Sequence, residues 1–68
     1  MHFTLNGEPQ AQDTAPTVAE LVRGLVQSGD TRGCAVAIDG EVVRRATWDE
    51  RSVSEGDAVE ILLAHAGG

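Results

Sequence analysis

Ala58-Val59-Glu60-Ile61-Leu62-Leu63-Ala64 runs directly into His65-Ala66-Gly67-Gly68, and the fold is decided by how this stretch is read. Its apolar residues recur with a period of two, so Val59, Ile61 and Leu63 share one face of a strand while Ala58, Glu60, Leu62 and Ala64 share the other. Glu55-Gly56-Asp57 is the turn that delivers the chain into this strand. If Val59, Ile61 and Leu63 face a core, Leu62 and Ala64 lie outside, beside the terminal residues, and leave apolar area exposed there.

Gly67-Gly68 carries no Cβ, so nothing shields the terminal carbonyl or widens the tail. At about 3.3 to 3.6 Å per extended residue, residues 64–68 span roughly 17 Å, which is deep enough to enter another protein's cleft. The expectation is a flexible tail that presents the main-chain carboxylate of Gly68, with Gly67 providing clearance. Leu62, Ala64 and Ala66 are the candidate docking residues beside it.

Upstream, the pattern fills in a complete small sheet. Met1, Phe3 and Leu5 alternate with His2, Thr4 and Asn6, and Asn6-Gly7 is a two-residue hairpin turn. The return segment from Glu8 to Gln12 contains Pro9 and reads as a weak edge strand. Thr17-Val18-Ala19-Glu20 has capping-box spacing, and Val18, Leu21, Val22, Leu25 and Val26 form one helical stripe. The helix is expected from Val18 to about Gln27, with Gly29 as the stop and Gly24 either a point of close approach to the sheet or a tolerated cost. Cys34 to Ile38 and Val42-Val43 read as two strands joined by the Asp39-Gly40 hairpin. Arg44 to Ser54 is polar apart from Trp48 and Val53; Trp48 is assigned to core packing, and Arg44-Arg45 to solvent. The order is therefore ββαβββ, an α+β chain in which one helix covers one face of a mixed sheet and the first and last strands lie parallel in its middle, the β-grasp arrangement.

Sixty-eight residues make one domain, read as residues 1–68 with 64–68 as its tail, too small for an ordinary catalytic cleft. Eleven acidic residues against five arginines and no lysine give a net charge of −6, which repels nucleic-acid backbones. A single cysteine, Cys34, excludes an internal disulfide and reads as a small buried hydrophobe. The first residues lack a signal-peptide pattern and no stretch has the length of a membrane span, so a cytoplasmic protein that binds no membrane is expected. No nucleophile triad spacing or phosphate-binding glycine loop is present. His2 and His65 stand at opposite ends and Cys34 has no neighbouring ligand in sequence, so no metal site is expected. The chain reads as a substrate of other enzymes.

Taken in order, Asn6-Gly7-Glu8, Thr17-Val18-Ala19-Glu20-Leu21, Ala35 to Val43, Trp48, Glu55-Gly56-Asp57, Val59-Glu60-Ile61 and Gly67-Gly68 resemble the small ubiquitin-like β-grasp sulfur carriers, most closely those serving thiazole formation in thiamine biosynthesis. The resemblance covers essentially the whole chain; Asp39 in the central turn and Arg44-Arg45 after the fourth strand depart from the usual pattern. It implies that an E1-like adenylyltransferase activates the Gly68 carboxylate with ATP and magnesium, neither of which this chain binds itself. It further implies a persulfide donor, a cysteine desulfurase or rhodanese-like protein, that converts Gly68 to a thiocarboxylate, and a thiazole synthase that receives the sulfur. The free carrier is expected to be a monomer. The same tail also suits a carrier for molybdopterin, cysteine or tRNA thiolation, or a ubiquitin-like modifier of target amines, and a plain interaction module is a third class.

Overall fold

In the computed structural model, which describes residues 1–26 and 29–63, the opening residues form the expected hairpin: β1 (His2–Leu5) pairs antiparallel with β2 (Glu8–Ala11). The Asn6-Gly7 turn has both residues at positive φ, 51° and 84°, the backbone that matches the twist of a two-residue hairpin. Main-chain bonds run both ways between Met1 and Gln12. Bonded pairs alternate in an antiparallel ladder, so Thr4–Pro9 is an unbonded pair and the missing N–H of Pro9 faces away from β1. Pro9 thus costs the sheet no bond and blunts its free edge.

Thr17 starts helix α1 (Val18–Leu25) with the capping box that the sequence predicts. The Thr17 hydroxyl accepts from the Glu20 N–H at 3.1 Å, and the Glu20 carboxylate accepts from the Thr17 N–H at 2.8 Å. The remaining first-turn donors reach the loop after the fourth strand: Val18 N–H to the Arg51 carbonyl at 2.8 Å and Ala19 N–H to the Trp48 carbonyl at 3.1 Å. Helix start and loop therefore complete each other's hydrogen bonds. The helix is shorter than the expected run to Gln27. Val26 leaves it at φ −94°, ψ 110°, and its N–H closes the last turn on Val22. Gly24 weakens that final turn, and β-branched Val26 packs against the core from an extended backbone instead. Gln27 itself lies outside the described residues.

After the helix come β3 (Ala35–Ile38), β4 (Glu41–Val43), a short 3-10 helix (Arg45–Thr47) and β5 (Ala58–Leu62). The five strands form one sheet in the order β2-β1-β5-β3-β4. β5 is parallel to β1 and antiparallel to β3, which places the first and last strands side by side in the middle, as the sequence predicts for a β-grasp. Phe3, Val36, Ile38, Val59 and Ile61 from the sheet meet Val18, Ala19, Leu21 and Val22 from the helix. Trp48 and Val53, carried by the loop, seal one end of that core. The Trp48 indole N–H donates to the Val43 carbonyl at 3.0 Å, so the ring is buried with its one polar atom satisfied.

Two strand-end expectations change. β5 stops at Leu62 rather than Ala64, and Leu63, expected to point inward with Val59 and Ile61, is 36% exposed. The cause is the neighbours: β1 has ended at Leu5, and the β3 pairing ends with Ala35 opposite Leu62, so among the described residues no strand flanks Leu63. Gly24 also resolves. A Cβ built there meets no heavy atom within 4 Å, so the glycine serves no close approach.

Gly24→Ala is expected to raise stability by about 1 kcal/mol, the helix-propensity difference, as read by urea denaturation. Stability also carries a pH dependence at the helix start. The Thr17 N–H, then the Thr17 hydroxyl and the nearby Arg23, hold the Glu20 carboxyl below its ordinary value of 4.5. A pKa lowered on folding contributes stability that is whole above the unfolded value and is lost as pH falls past it. The gap in Tm between the natural chain and Glu20→Ala is therefore largest above pH 4.5 and narrows on acidification.

Candidate functional site: the open sheet face and the tail exit

Among the described residues one helix covers one face of the sheet, and nothing covers the other. On β5, Val59 and Ile61 point into the core while Ala58, Glu60 and Leu62 are exposed. Leu62 is 72% exposed, as its place in the alternation requires. The register assembles its neighbours: Ala35 lies opposite Leu62, and Ala37 lies opposite both Glu60 and Val42. Val42 is 78% exposed. Ala35, Ala37, Val42 and Leu62 thus form an apolar patch across three strands, with the Glu60 carboxylate set within it. Val42 is the member that sequence reasoning missed. Period two requires one of Val42 and Val43 to face outward, but a three-residue strand does not say which; the packing of Val43 against the core decides it.

Both ends of β5 are held by side chains from hairpin turns. At its start, Asp39 donates its N–H to the Ala58 carbonyl and accepts the Ala58 N–H on Oδ1, each at 2.9 Å. Near its end, Asn6 donates its N–H to the Val59 carbonyl at 2.8 Å. The Asn6 carboxamide then continues the ladder past the end of β1. Oδ1 accepts the Ile61 N–H at 2.8 Å, and Nδ2 donates to the Ile61 carbonyl at 3.3 Å. Asn6 and Asp39 are the two non-glycine residues at positive φ among those described, both at 51°. Sequence reasoning assigned them to turns and not to strand ends, because a turn signal is local and the Asn6–Ile61 contact spans most of the chain.

At the other end of the parallel pair, the Glu55-Gly56-Asp57 turn grips β1. The Glu55 carboxylate accepts the His2 N–H at 2.9 Å, and the Gly56 N–H donates to the His2 carbonyl at 2.7 Å. Asp57 is buried and accepts the Ser54 N–H at 2.8 Å, which tightens the turn.

Gly67, Gly68, Ala64 and Ala66 lie outside the described residues. Cys34 is a free thiol, half-buried against the core. Arg44 and Arg45 are both exposed, as expected, and Arg45 is also engaged there: it stacks 4.5 Å over the Trp48 ring and donates to the Thr31 hydroxyl at 3.0 Å and the Thr31 carbonyl at 2.6 Å. Among the described residues no group of three or more His, Cys, Asp or Glu is placed to hold a metal ion. No helix of the described residues is long and apolar enough to cross a membrane.

A mixed sheet grasping one helix, with an apolar open face, defines a ubiquitin-like β-grasp domain. Residues 3–68 match the ThiS family model, and the chain belongs to that family of small sulfur carriers. It is similar, at 36% identity and a TM-score of 0.75, to the crystal structure of a thiamine biosynthesis protein (ThiS) from Geobacter metallireducens, with each chain covered in full. The solution NMR structure of a thiamine biosynthesis protein from the same organism is similar at 36% identity and a TM-score of 0.76, covering 100% of this chain and 88% of that one. Comparison with curated proteins gives no match.

Leu62→Asp and Val42→Asp place a charge on the open face without touching the core, so each is expected to leave Tm nearly unchanged. Should this face carry docking to a partner enzyme, each is also expected to weaken capture by that partner by tenfold or more, on the order of the loss of one interface anchor. Capture of both variants as tight as that of the natural chain, read by surface plasmon resonance, would place docking elsewhere.

Proposed function

We propose that this chain is a sulfur carrier in thiamine biosynthesis whose Gly68 carboxylate is adenylated and converted to a thiocarboxylate that supplies the sulfur of the thiazole. Membership of the ThiS family over residues 3–68, a span that includes Gly67-Gly68, carries the reading. The chemistry explains why a partner is required. An α-carboxyl with an ordinary pKa of about 3.3 to 3.7 is ionised at neutral pH and is a poor electrophile. Attack of a carboxylate oxygen on the α-phosphorus of ATP releases pyrophosphate and leaves an acyl adenylate. A persulfide sulfur then attacks the acyl carbon and AMP departs. A second thiol cleaves the resulting acyl disulfide, leaving the thiocarboxylate on Gly68 and a disulfide on the donor. One difficult substitution becomes a series of easier ones.

The proposed chemistry carries a division of labour. Magnesium-bound ATP and the nucleophilic persulfide belong to the E1-like adenylyltransferase and to a cysteine desulfurase or rhodanese-like donor; this chain contributes the acyl group. Gly67 and Gly68 pass a narrow channel because they have no side chains. Leu62 and its neighbours offer the apolar surface by which the same partners, including the thiazole synthase, hold the body of the carrier. Ala64 and Ala66 add small apolar contacts along the tail.

Deletion of Gly68 is expected to abolish ATP–pyrophosphate exchange by the cognate adenylating enzyme while leaving the Tm of the carrier unchanged, since the core residues among those described all lie before Leu62. Undiminished exchange with the truncated chain would remove Gly68 from the reaction.

A further inference from the structure

We infer that Glu60 is a specificity-determining residue of the open sheet face: its carboxylate pairs with one arginine or lysine that the adenylating enzyme brings into an otherwise apolar contact. The inference rests on the activation proposed above and deepens it by stating the chemistry of that partner's surface. On β5, Glu60 lies between Ala58 and Leu62 on the exposed side, and the register sets Ala37 opposite it, with Val42 beyond Ala37 on β4. Val42 and Leu62 are the two most exposed large apolar residues among those described. The carboxylate therefore stands among alanine, valine and leucine side chains, none of which can bond it. Among the described residues Glu60 makes no ion pair and no side-chain hydrogen bond. Four of the five arginines are engaged elsewhere: Arg23 with Asp49, Arg32 with Asp30, Arg51 with Asp57, and Arg45 with Thr31 and Trp48.

Exposed to water, that carboxylate costs nothing. Covered, it decides which partner fits. Leu62 lies two residues along the same strand, roughly 7 Å away, and Val42 lies two strands across, roughly 10 Å away. A standard interface hides about 800 Å² on each partner, more than these side chains span, so a partner seated on Val42 and Leu62 also takes water from Glu60. A carboxylate stripped of water and left unpaired offsets what the apolar contact gains, whereas a cation aimed at it restores the lost bonds. The face accordingly accepts an apolar surface that carries a positive charge at one position, and rejects one that is apolar throughout or acidic there. The net charge of −6 favours basic partners in general, but that attraction acts at long range and is screened by salt, while Glu60 acts at contact.

Glu60→Gln removes the charge and keeps the shape; Glu60→Leu removes the charge and extends the apolar patch. Both changes lie on the exposed face, so Tm is expected to hold for each. Capture by the adenylating enzyme whose ATP–pyrophosphate exchange the natural chain supports is read by surface plasmon resonance at low and high salt. Each variant is expected to bind more weakly by on the order of tenfold or more, through faster dissociation with the association rate nearly unchanged. For Glu60→Leu the sign is decisive, because a purely apolar contact would tighten it. Capture of either variant as tight as that of the natural chain, or tighter, overturns the inference and leaves the carboxylate the role of keeping an apolar face soluble, visible in sedimentation as self-association of Glu60→Leu. A loss confined to the association rate and abolished by high salt overturns it as well, since that is the signature of long-range attraction. Absence of exchange with the natural chain would remove the activation chemistry, and this partner with it, whereas capture indifferent to the Glu60 variants leaves that chemistry standing.

Discussion

The pairing of β5 between β1 and β3 is the constraint on which the rest of this structure depends. β5 is the last strand of the chain and lies at the centre of the sheet, so the N-terminal hairpin and the middle hairpin are joined only through it. Its inward residues, Val59 and Ile61, are among the most deeply buried apolar residues in the protein. Its two ends are fastened by the side chains of turn residues, Asp39 on Ala58 and Asn6 on Ile61. A parallel pair needs a long crossover, and the helix supplies it while covering the core face. The strand that closes the fold therefore also sets where the chain leaves it.

That arrangement divides the surface into two kinds of region. Under α1, polar groups are saturated: the first-turn N–H groups of the helix all find acceptors, and among the described residues no buried side-chain polar atom lacks a partner. The open face is different. Leu62 and Val42 are exposed by most of their area, on strands too rigidly paired to turn them inward. A small domain that leaves such residues in water accepts a cost in solubility, partly offset here by a net charge of −6. Under the proposed function that cost has a return, because larger enzymes would hold the domain while the proposed chemistry is confined to one carboxylate.

Much of the fold was legible in the sequence because the decisive signals are short-range. Asn6-Gly7 and Asp39-Gly40 specify hairpins, Thr17 to Glu20 specifies a helix start, and the alternation through Val59 and Ile61 specifies a half-buried strand. Where sequence and structure part, the cause is contact between distant segments. The helix ends at Leu25 because Val26 finds its packing from an extended backbone, and Leu63 is exposed because the neighbouring strands have stopped. The stretch from Arg44 to Ser54 reads as irregular, yet its carbonyls at Trp48 and Arg51 complete the helix N-terminus. Arg45 looks free in sequence and is committed to Trp48 and Thr31. The outward orientation of Val42 and the reach of the Asn6 carboxamide to Ile61 depend on the three-dimensional register.

Sulfur-carrier chemistry comes down to a single atom, and intact-protein mass spectrometry addresses it most directly. The chain is incubated with its cognate adenylating enzyme, ATP, magnesium and a persulfide donor under reducing conditions, and the product is fragmented to locate any change. The carrier role predicts a mass gain equal to the replacement of one oxygen by sulfur, mapped to Gly68. An unmodified carboxylate in the presence of a demonstrably active enzyme would contradict it.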